Sequence, residues 1–406
     1  MNRTEEPIRL AYIVSHPIQY QAPLLRRIAA EPDIDLTVFF SSDFSVRTYH
    51  DEGFGTELKW DVDLLSGYKH DFLPRMHSKS SLSSMQPVSY GIFRRLRKGK
   101  FDAVWVHGYA TWNAIHAILA ANALGIPVLV RNDGWLGDRP RSRKTLLAKS
   151  MFLAVLRKLI DGVLTAGTLN AEYWSAYMDD VPQFLMPYAV DNAYFAERTA
   201  AAASTQKQLR ADLQLADDRP VILFASKLQT RKHCNHLLEA YFRMPEPRPY
   251  LVIVGNGEER IALEQRVAEK GCDTVRFAGF RNQSELPRFF NLASVFVLPA
   301  RHEPWGLIVN EAMSASLPVI VTDEVGAAPD LVKNGINGFI YPFGDIEALQ
   351  RALQYVLQSP EKAAEMGRNS YQKIETWDFD RNVVALRTAL MSVTGRSVPC
   401  QNESVL

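Results

Sequence analysis

The sequence has little cysteine and no excess of charge of either sign. Only three of its 406 residues are cysteines, Cys234, Cys272 and Cys400, and none forms a CxxC pair. This argues against a disulfide framework and a structural zinc site, and it fits a reducing compartment. Lys and Arg total 46 and Asp and Glu 45, a net charge of +1. Without a basic field we expect no binding of DNA or RNA.

Long apolar runs are also missing. The first twenty residues place two glutamates, Glu5 and Glu6, ahead of a five-residue apolar run that is too short for the core of a signal peptide. No stretch approaches the ~18 apolar residues of a membrane-spanning helix. The most apolar helical segment is interrupted by Lys149, Arg157 and Lys158. We therefore expect a cytoplasmic protein, in contact with a membrane only at its inner face if at all.

What the sequence does contain is a repeated alternation of strand and helix. Short β-branched runs, each followed by a turn and a segment of helical period, are typical of a parallel sheet in an α/β fold. The first half predicts strands at 9–14, 35–40, 103–107, 127–131, 162–165 and 183–187. The second half predicts strands at 221–225, 250–254, 275–278, 295–299, 318–322 and 338–341. The pattern predicts two Rossmann-like, doubly wound lobes facing each other across a cleft.

Composition divides the chain further. We predict an N-terminal lobe over 1–190, a polar, alanine-rich linker over 191–217, and a C-terminal lobe over 218–375. Residues 376–406 are predicted to form a C-terminal helix, which we expect to return to the first lobe, and a frayed polar tail. Within the first lobe, the apolar spacing in 111–124 predicts a helix that stops at Gly125.

Ligands of such folds bind beyond the carboxyl ends of the strands. A two-lobed transferase, a dinucleotide enzyme and a two-lobed ligand-binding protein all fit this organisation. The dinucleotide class lacks its fingerprint, because GNGEER has Arg260 where the third small residue is needed. There is also no GxxxxGK[ST] segment for a P-loop and no GxSxG turn for an α/β-hydrolase.

The most informative segment is HEPWGLIVNEAMS, residues 302–314, between two predicted strands. It places Glu303 in the loop and Glu311 about two turns into the following helix. Gly306 comes at the helix start, where a missing Cβ lets a ligand approach the backbone. The positive end of the helix dipole would accept a diphosphate on the N–H groups of Gly306, Leu307 and Ile308, with the carboxylates free for sugar hydroxyls.

Together with its surroundings, this segment resembles the retaining nucleotide-sugar glycosyltransferases of family 4, whose fold is GT-B. Glu303 and Glu311 reproduce the family's E-x7-E pair. The continuation EAMSASLPVIVTDEVGAAPDLVKNGINGFIYPFGD keeps the family spacing without a gap. FASKLQTRKHCNHLLEAY resembles the family's strand, loop and helix that bind the donor diphosphate through two cations. VIVGNGEER and VRFAGF resemble its two nucleotide-side loops.

The resemblance implies a role for each matching residue. Glu311 would bind the ribose hydroxyls, with Gly255 and Phe280 on the nucleoside side, and Glu303 would bind the donor sugar. The two phosphates would contact Lys227 and Lys232, without a metal or a cofactor. Most family members have Arg where Lys227 stands, and lysine lacks the bidentate fork of arginine.

The first lobe carries the weaker part of the resemblance. FDAVWVHGYATWNAI resembles the family's strand ending in a histidine that faces the donor sugar, which here is His107. The family's glycine-rich first loop is replaced by SHPIQYQAP, with His16, Gln19 and Tyr20. These side chains either bind a polar acceptor or the transferred sugar, or simply pack the loop through Pro17 and Tyr20.

Two further features stay open at the level of sequence. Asp133 follows the strand PVLVR and either contacts the acceptor hydroxyl or pairs with Arg131. Residues 139–158 contain seven Lys or Arg and no acid, interleaved with apolar residues. Such a helix can lie on an anionic membrane. We favour the simpler interpretation, a lobe helix with its apolar stripe on the sheet and its charges in water.

The sequence thus predicts a GT-B glycosyltransferase that moves a sugar from a nucleoside diphosphate to a hydroxyl of a glycan, lipid-linked or small-molecule acceptor, as in surface polysaccharide or glycoconjugate biosynthesis. The alternatives are another GT-B reaction, of isomerase or phosphorylase type, and a non-catalytic binder of sugars or nucleotides. The base, the sugar, the acceptor and the oligomeric state are not readable from the residues.

Overall fold

The computed structural model describes residues 6–51, 53–76, 87–216 and 218–396. Two parallel sheets, each covered by helices on both faces, form two lobes as predicted. Buried strands such as VILFA at Val221–Ala225 have no exposed residue, because a parallel sheet is covered on both sides. Cys400 and the predicted frayed tail lie outside the described residues.

The first lobe contains a seven-stranded parallel sheet in the order β5-β2-β1-β6-β7-β8-β9. Its strands, with a separate hairpin formed by β3 and β4, are β1 Ile8–Val14, β2 Ile34–Phe40, β3 Tyr49–Asp51, β4 Thr56–Leu58, β5 Lys69–Phe72, β6 Ala103–His107, β7 Val128–Arg131, β8 Gly162–Thr165 and β9 Gln183–Leu185. Its helices are α1 Gln21–Ala29, α2 Ile92–Gly99, α3 Trp112–Ala123, α4 Arg143–Leu156 and α5 Thr168–Tyr177. The Thr111 hydroxyl caps α3, as the predicted helix start requires.

The second lobe contains a six-stranded parallel sheet in the order β12-β11-β10-β13-β14-β15. Its strands are β10 Val221–Ala225, β11 Tyr250–Val254, β12 Val275–Gly279, β13 Val295–Leu298, β14 Val319–Thr322 and β15 Gly338–Tyr341. The helices from the crossover onward are α6 Asn192–Ala201, α7 Gln206–Asp212, α8 Cys234–Phe242, α9 Arg260–Glu269, α10 Leu286–Leu292, α11 Leu307–Ser314, α12 Ala328–Leu331, α13 Ile346–Val356, α14 Pro360–Glu375 and α15 Phe379–Thr394. Short 3-10 turns occur at Ala202–Thr205 and Thr230–Lys232.

The predicted linker is folded. Helices α6 and α7 occupy most of 191–217, and the Asp191 carboxylate caps α6 by accepting from the Tyr194 N–H at 3.0 Å. Phe195 and Leu209 belong to the core of the second lobe. The stretch joins the two lobes and its described residues contain no strand. The apolar residues that anchor its helices are diluted by alanine and polar residues in the sequence.

The C-terminal helix returns to the first lobe, as expected. Asp378 caps α15, whose buried residues Val383, Leu386 and Leu390 pack in the same core as β1 and α1. Arg387 of α15 binds Asp33 and Glu31 at the edge of that lobe. The chain therefore crosses between the lobes twice.

Helix α4 differs from the prediction. Only Leu153 and Leu156 of its residues are buried, whereas several apolar residues on the helix are exposed. The preferred interpretation, an apolar stripe resting on the sheet, was wrong, because two leucines suffice to anchor this helix to the lobe.

Each helix in the described part of the chain is too short or too polar to span a bilayer.

Candidate active site

A cleft of about 460 Å³ lies between the lobes, beyond the carboxyl ends of the central strands. Both lobes contribute to its lining. Nine of the predicted site residues lie in it: Gln19, Tyr20, Asp133, Phe280, Glu303, Gly306, Leu307, Ile308 and Glu311. The E-x7-E segment therefore faces the cleft from one side and the polar loop after β1 faces it from the other.

The N-terminus of α11 points into this cleft. Gly306 precedes the helix with a φ of 92°, in the left-handed region that favours glycine. A Cβ here would lie 3.1 Å from Leu298 and 3.3 Å from Val325, so the turn is also closely packed. The N–H groups in the first turn of a helix have no partner within the helix. Those of Leu307 and Ile308 are therefore suited to an anionic ligand.

Two cations meet on the Glu303 carboxylate. Arg231 donates to Oε2 at 2.8 Å, and the buried Lys232 ammonium donates to the same oxygen. Burial raises the pKa of Glu303, but Lys232 and Arg231 more than offset it, so the pKa is held below its ordinary value. The three side chains carry a net charge of +1. The predicted sugar-binding carboxylate and the predicted phosphate-binding lysine are thus one ionic unit.

Lys227 contacts the first lobe. Its ammonium donates to Asp51 Oδ1 at 2.7 Å and lies 4.6 Å from the centre of the Phe54 ring. Phe54 in turn contacts Phe280 edge to face, with ring centres 4.6 Å apart. The β3–β4 hairpin therefore reaches across the cleft and covers the cation predicted to bind a phosphate.

Glu311 is mostly buried, and its Oε2 has no hydrogen-bond partner in the described part of the chain. Burial raises the pKa of this carboxyl from 4.5 to about 8. A buried carboxyl without a partner is costly unless a ligand supplies the missing donor. The side chain faces the cleft, where ribose hydroxyls would supply it.

Gly255 has a steric role in the structure. Its φ is 142°, and a Cβ would lie 1.9 Å from the carbonyl oxygen of Ser226. Gly257 is similar, with Leu228 carbonyl oxygen 2.4 Å from its virtual Cβ. The two glycines allow the loops after β10 and β11 to pack backbone to backbone. This close packing positions Lys227, which lies between Ser226 and Leu228.

His107 is the last residue of β6, and its side chain is held by Gln21. The Gln21 amide nitrogen is 3.2 Å from its ring nitrogens, and Gln21 Oε1 accepts from the Tyr12 hydroxyl at 2.7 Å. Burial, with smaller contributions from Arg131 and His16, lowers the pKa of His107 to about 3. The imidazole is therefore neutral and can orient a group but cannot serve as an acid near pH 7.

The loop after β1 is partly packed and partly turned to the cleft. Tyr20 hydrogen-bonds the Tyr188 hydroxyl at 3.2 Å, and burial raises its pKa to about 12. His16 contacts Phe44 and the Ser15 hydroxyl, and burial lowers its pKa to about 4. Gln19 and Tyr20 thus line the cleft, whereas His16 packs against Phe44.

Asp133 does not pair with Arg131. The Arg131 guanidinium donates to the carbonyls of Met186 and Pro187 and stacks on Tyr188, and no ion pair joins it to Asp133 within the described residues. Burial, with the nearby charge of Glu303, raises the pKa of Asp133. Asp133 therefore faces the cleft without an ion-pair partner among the described residues, and its carboxyl is placed to contact a ligand there.

Sequence reasoning missed several residues of the site. Arg231 was overlooked beside Lys232, although its charge in the segment TRKH was a usable signal. Asp51, Phe54 and Trp60 were missed because β3 and β4 are only three residues long and have no apolar alternation. Trp305 is buried beneath the cleft, where it stacks on Trp377 and donates to Asn310 Oδ1 at 2.9 Å.

The lobes are joined close to this site. Trp135 of the first lobe donates to the Glu303 carbonyl at 3.0 Å. Asp330 of the second lobe accepts from the Thr168 N–H at 2.8 Å and from its hydroxyl at 2.7 Å, which caps the N-terminus of α5. These contacts fix the cleft with both sides of the site facing each other.

Comparison with known proteins agrees with this architecture. Residues 205–373 match the family described as glycosyl transferases group 1. The chain is 28% identical over 330 residues to D-inositol 3-phosphate glycosyltransferase from Streptomyces avermitilis, covering 74% of this chain and 68% of that protein.

Solved structures show the same fold. Sucrose-phosphate synthase from Thermosynechococcus elongatus superposes with a TM-score of 0.67 at 19% identity, over 93% of this chain and 97% of that one. HepE from Anabaena, in complex with UDP and glucose, superposes with a TM-score of 0.68 at 17% identity, over 94% and 99% of the two chains. The chain therefore has the GT-B fold, and residues 205–373, most of which lie in its second lobe, are similar to glycosyl transferases group 1.

Proposed function

We propose that the chain is a retaining glycosyltransferase of family 4 that transfers a hexose from a nucleoside diphosphate to a hydroxyl of a glycan, lipid-linked or small-molecule acceptor, in the biosynthesis of surface polysaccharides or glycoconjugates. The observation that carries the proposal is the unit of Arg231, Lys232 and Glu303 directly before the N-terminus of α11. It combines a sugar-binding carboxylate with the cations that a departing diphosphate requires.

The leaving group is the first chemical problem. When the bond between the sugar C1 and the phosphate oxygen breaks, negative charge develops on that oxygen. Arg231, Lys232, Lys227 and the free N–H groups of α11 are preorganised donors near this position, and such donors stabilise charge as it forms. Because these groups supply the positive charge, we propose a reaction without a metal or a resident cofactor.

The nucleoside would lie on the second lobe. Glu311 would accept hydrogen bonds from the ribose hydroxyls, which would give its unpartnered Oε2 a donor. Phe280, with Phe54 from the hairpin against its ring, offers an apolar surface for the base. Gly255 would act indirectly, by keeping the Lys227 loop close to the neighbouring one.

The donor sugar and the acceptor would meet between the lobes. Glu303 would bind sugar hydroxyls, and the neutral His107 would orient the sugar through its ring nitrogen. In the proposed reaction the acceptor oxygen bonds to C1 on the face that the diphosphate leaves, and the acceptor proton passes to the departing phosphate oxygen. Gln19, Tyr20 and Asp133 would hold the acceptor, with His16 supporting their loop.

A melting screen with UDP, GDP and ADP tests donor binding. UDP is the first choice because the similar HepE structure contains UDP. A ligand at 100 times its dissociation constant stabilises a fold by about 2.7 kcal/mol. We expect a clear shift with one of the diphosphates and a much smaller one in Lys232→Met. No shift with any of them or with intact nucleotide sugars would contradict the proposal.

Retention is tested separately, by NMR of the product formed from the nucleotide sugar that binds. We expect the new glycosidic bond to have the same anomeric configuration as the donor. An inverted product would overturn the assignment to a retaining reaction while leaving the donor site in place.

A further inference from the structure

Helix α4 presents an apolar stripe to solvent. Leu147, Met151 and Val155 are spaced by four residues and therefore lie on one side of the helix. Their exposed fractions are 65, 65 and 62%. The two buried residues, Leu153 and Leu156, lie on the opposite side and join the core of the first lobe. The stripe thus points away from the protein.

Basic residues surround the stripe. Residues 139–158 contain seven of them and no acid. Arg141 and Arg157 are engaged by Asp138 and Asp180, at 2.6 and 2.7 Å. In contrast, the exposed Arg143, Lys144 and Lys158 form no ion pair with any part of the chain that the structure describes. Their charge is available to an external partner.

A second basic helix packs over the same face of the first-lobe sheet. Leu96 of α2 belongs to the same core as Leu153, so α2 and α4 cover the same face of the first-lobe sheet. The sequence of α2, IFRRLRKG, has four basic residues and no acid, and its Phe93 is 41% exposed. The face therefore combines exposed apolar side chains with positive charge over two helices.

We propose that this face of the first lobe, with α4 at its centre, binds the surface of an anionic lipid bilayer. Apolar side chains enter the boundary between headgroups and acyl chains, and basic side chains contact the lipid phosphates. A second copy of the chain fits less well, because an isologous contact would bring two equally basic faces together. The inference does not depend on the identity of the donor or acceptor.

Sedimentation of the full chain with vesicles tests this. We expect binding to an equimolar mixture of phosphatidylglycerol and phosphatidylcholine, and little binding to phosphatidylcholine alone. The variant Leu147→Ser/Met151→Ser/Val155→Ser should bind on the order of 100-fold more weakly, from lost apolar burial. Arg143→Glu/Lys144→Glu should bind roughly 25-fold more weakly or worse, at about fivefold for each basic residue removed.

Matched controls are exposed apolar residues on helices away from α4. Ile261 of α9 is 69% exposed and Val384 of α15 is 59% exposed. Ile261→Ser and Val384→Ser should bind the mixed vesicles like the parent chain, and all variants should keep its melting temperature because the changed residues are exposed.

Three results would overturn the inference. They are equal binding to neutral and mixed vesicles, unchanged binding of both α4 variants, and absence of binding to either vesicle. If sedimentation velocity shows a dimer that the triple serine variant abolishes, and vesicles are not bound, the stripe is a contact between copies instead.

Discussion

The two sides of the cleft are built differently. On the second lobe, the site residues come from loops that directly follow buried strands, and they hold one another: Glu303 with Arg231 and Lys232, and Gly255 against Ser226. On the first lobe, the groups come from a short hairpin and a polar loop, and much of their contact is with the other lobe. The second lobe therefore builds its side of the cleft from groups that hold one another, while the first lobe supplies a cover held mainly by contacts with the other lobe.

The largest expected difference between the lobes is steric. Gly255→Ala would force a Cβ to 1.9 Å from the Ser226 carbonyl, whereas Gly108→Ala at the end of β6 would meet no atom within 4 Å. Both glycines have positive φ, 77° at Gly108 and 142° at Gly255, so both variants carry backbone strain of at least about 1 kcal/mol. We expect Gly255→Ala to lose more than about 4 kcal/mol of unfolding free energy. Denaturant melts of both variants measure the loss of unfolding free energy. Equal losses would show that the close backbone packing at Gly255 adds nothing to the cost of a Cβ there.

Next in size is the loss of the buried cation. Met has a side chain of similar length to Lys but no charge, so Lys232→Met removes the cation that faces Glu303. The rate of donor turnover should therefore fall by about 10²–10³-fold. Arg301→Met, which removes an exposed cation paired with Glu324, is the matched control and should change turnover little. The assay is release of the nucleoside diphosphate. If the two variants have equal rates, the charge on Lys232 has no special role.

A pH effect is expected from Glu311. Its pKa is raised from 4.5 to about 8 in the folded chain, so between these pH values the unfolded chain ionises while the folded chain keeps its proton. The contribution to stability is therefore fully present below about pH 4.5 and is lost as the pH rises to about 8. Glu311→Gln cannot ionise and should become more stable than the parent chain by roughly 3 kcal/mol above pH 8.

Chemical denaturation of both chains between about pH 5 and pH 9 measures the Glu311 effect. Glu347→Gln, at an exposed carboxylate on α13, is the control and should follow the parent curve. If the unfolding free energy of the parent chain changes with pH in the same way as that of Glu311→Gln, Glu311 is ionised in the folded chain over this range.

The smallest effect concerns the hairpin. A donor phosphate that contacts Lys227 also meets the Asp51 carboxylate, which holds that lysine at 2.7 Å and repels an anion. Asp51→Asn should therefore lower the KM for the donor by about threefold to tenfold with little change in kcat. Asp43→Asn, at a carboxylate paired with Arg75 elsewhere in the lobe, is the control. A raised KM in Asp51→Asn would mean that the carboxylate helps to hold the donor.

The same contrast explains what could be predicted from the sequence. The strands of both sheets except β5 were predicted nearly at their observed ends, because buried parallel strands are continuous apolar runs between turns. The edge strand β5 was not predicted, because its sequence KHDF has no apolar run. Glu303, Gly306 and Glu311 were predictable because the nine consecutive positions 303–311 span one loop and the start of one helix. Local chain geometry fixes such a group without knowledge of the rest of the fold.

The other parts of the site depend on contacts between distant residues. The pairing of Lys227 with Asp51 joins residues 176 positions apart, and β3 and β4 are too short to show a pattern. Lys232 and Glu303 are 71 positions apart, so the sequence named both but could not show that they share an ion pair. For α4, the sequence shows the apolar residues but not which of them are buried. In the structure only Leu153 and Leu156 pack on the lobe, and this turns the other apolar residues toward solvent.

Glu303 and its two cations, Arg231 and Lys232, form the proposed donor site. The most direct test measures the release of nucleoside diphosphate from a saturating nucleotide sugar by Glu303→Ala. Glu324→Ala is the control, because the Glu324 carboxylate is nearby and contacts Arg301 and His302 instead. We expect Glu303→Ala to lose about 10³-fold in rate and Glu324→Ala to keep most of its activity. A Glu303→Ala chain that turns over donor at the parent rate would contradict the account.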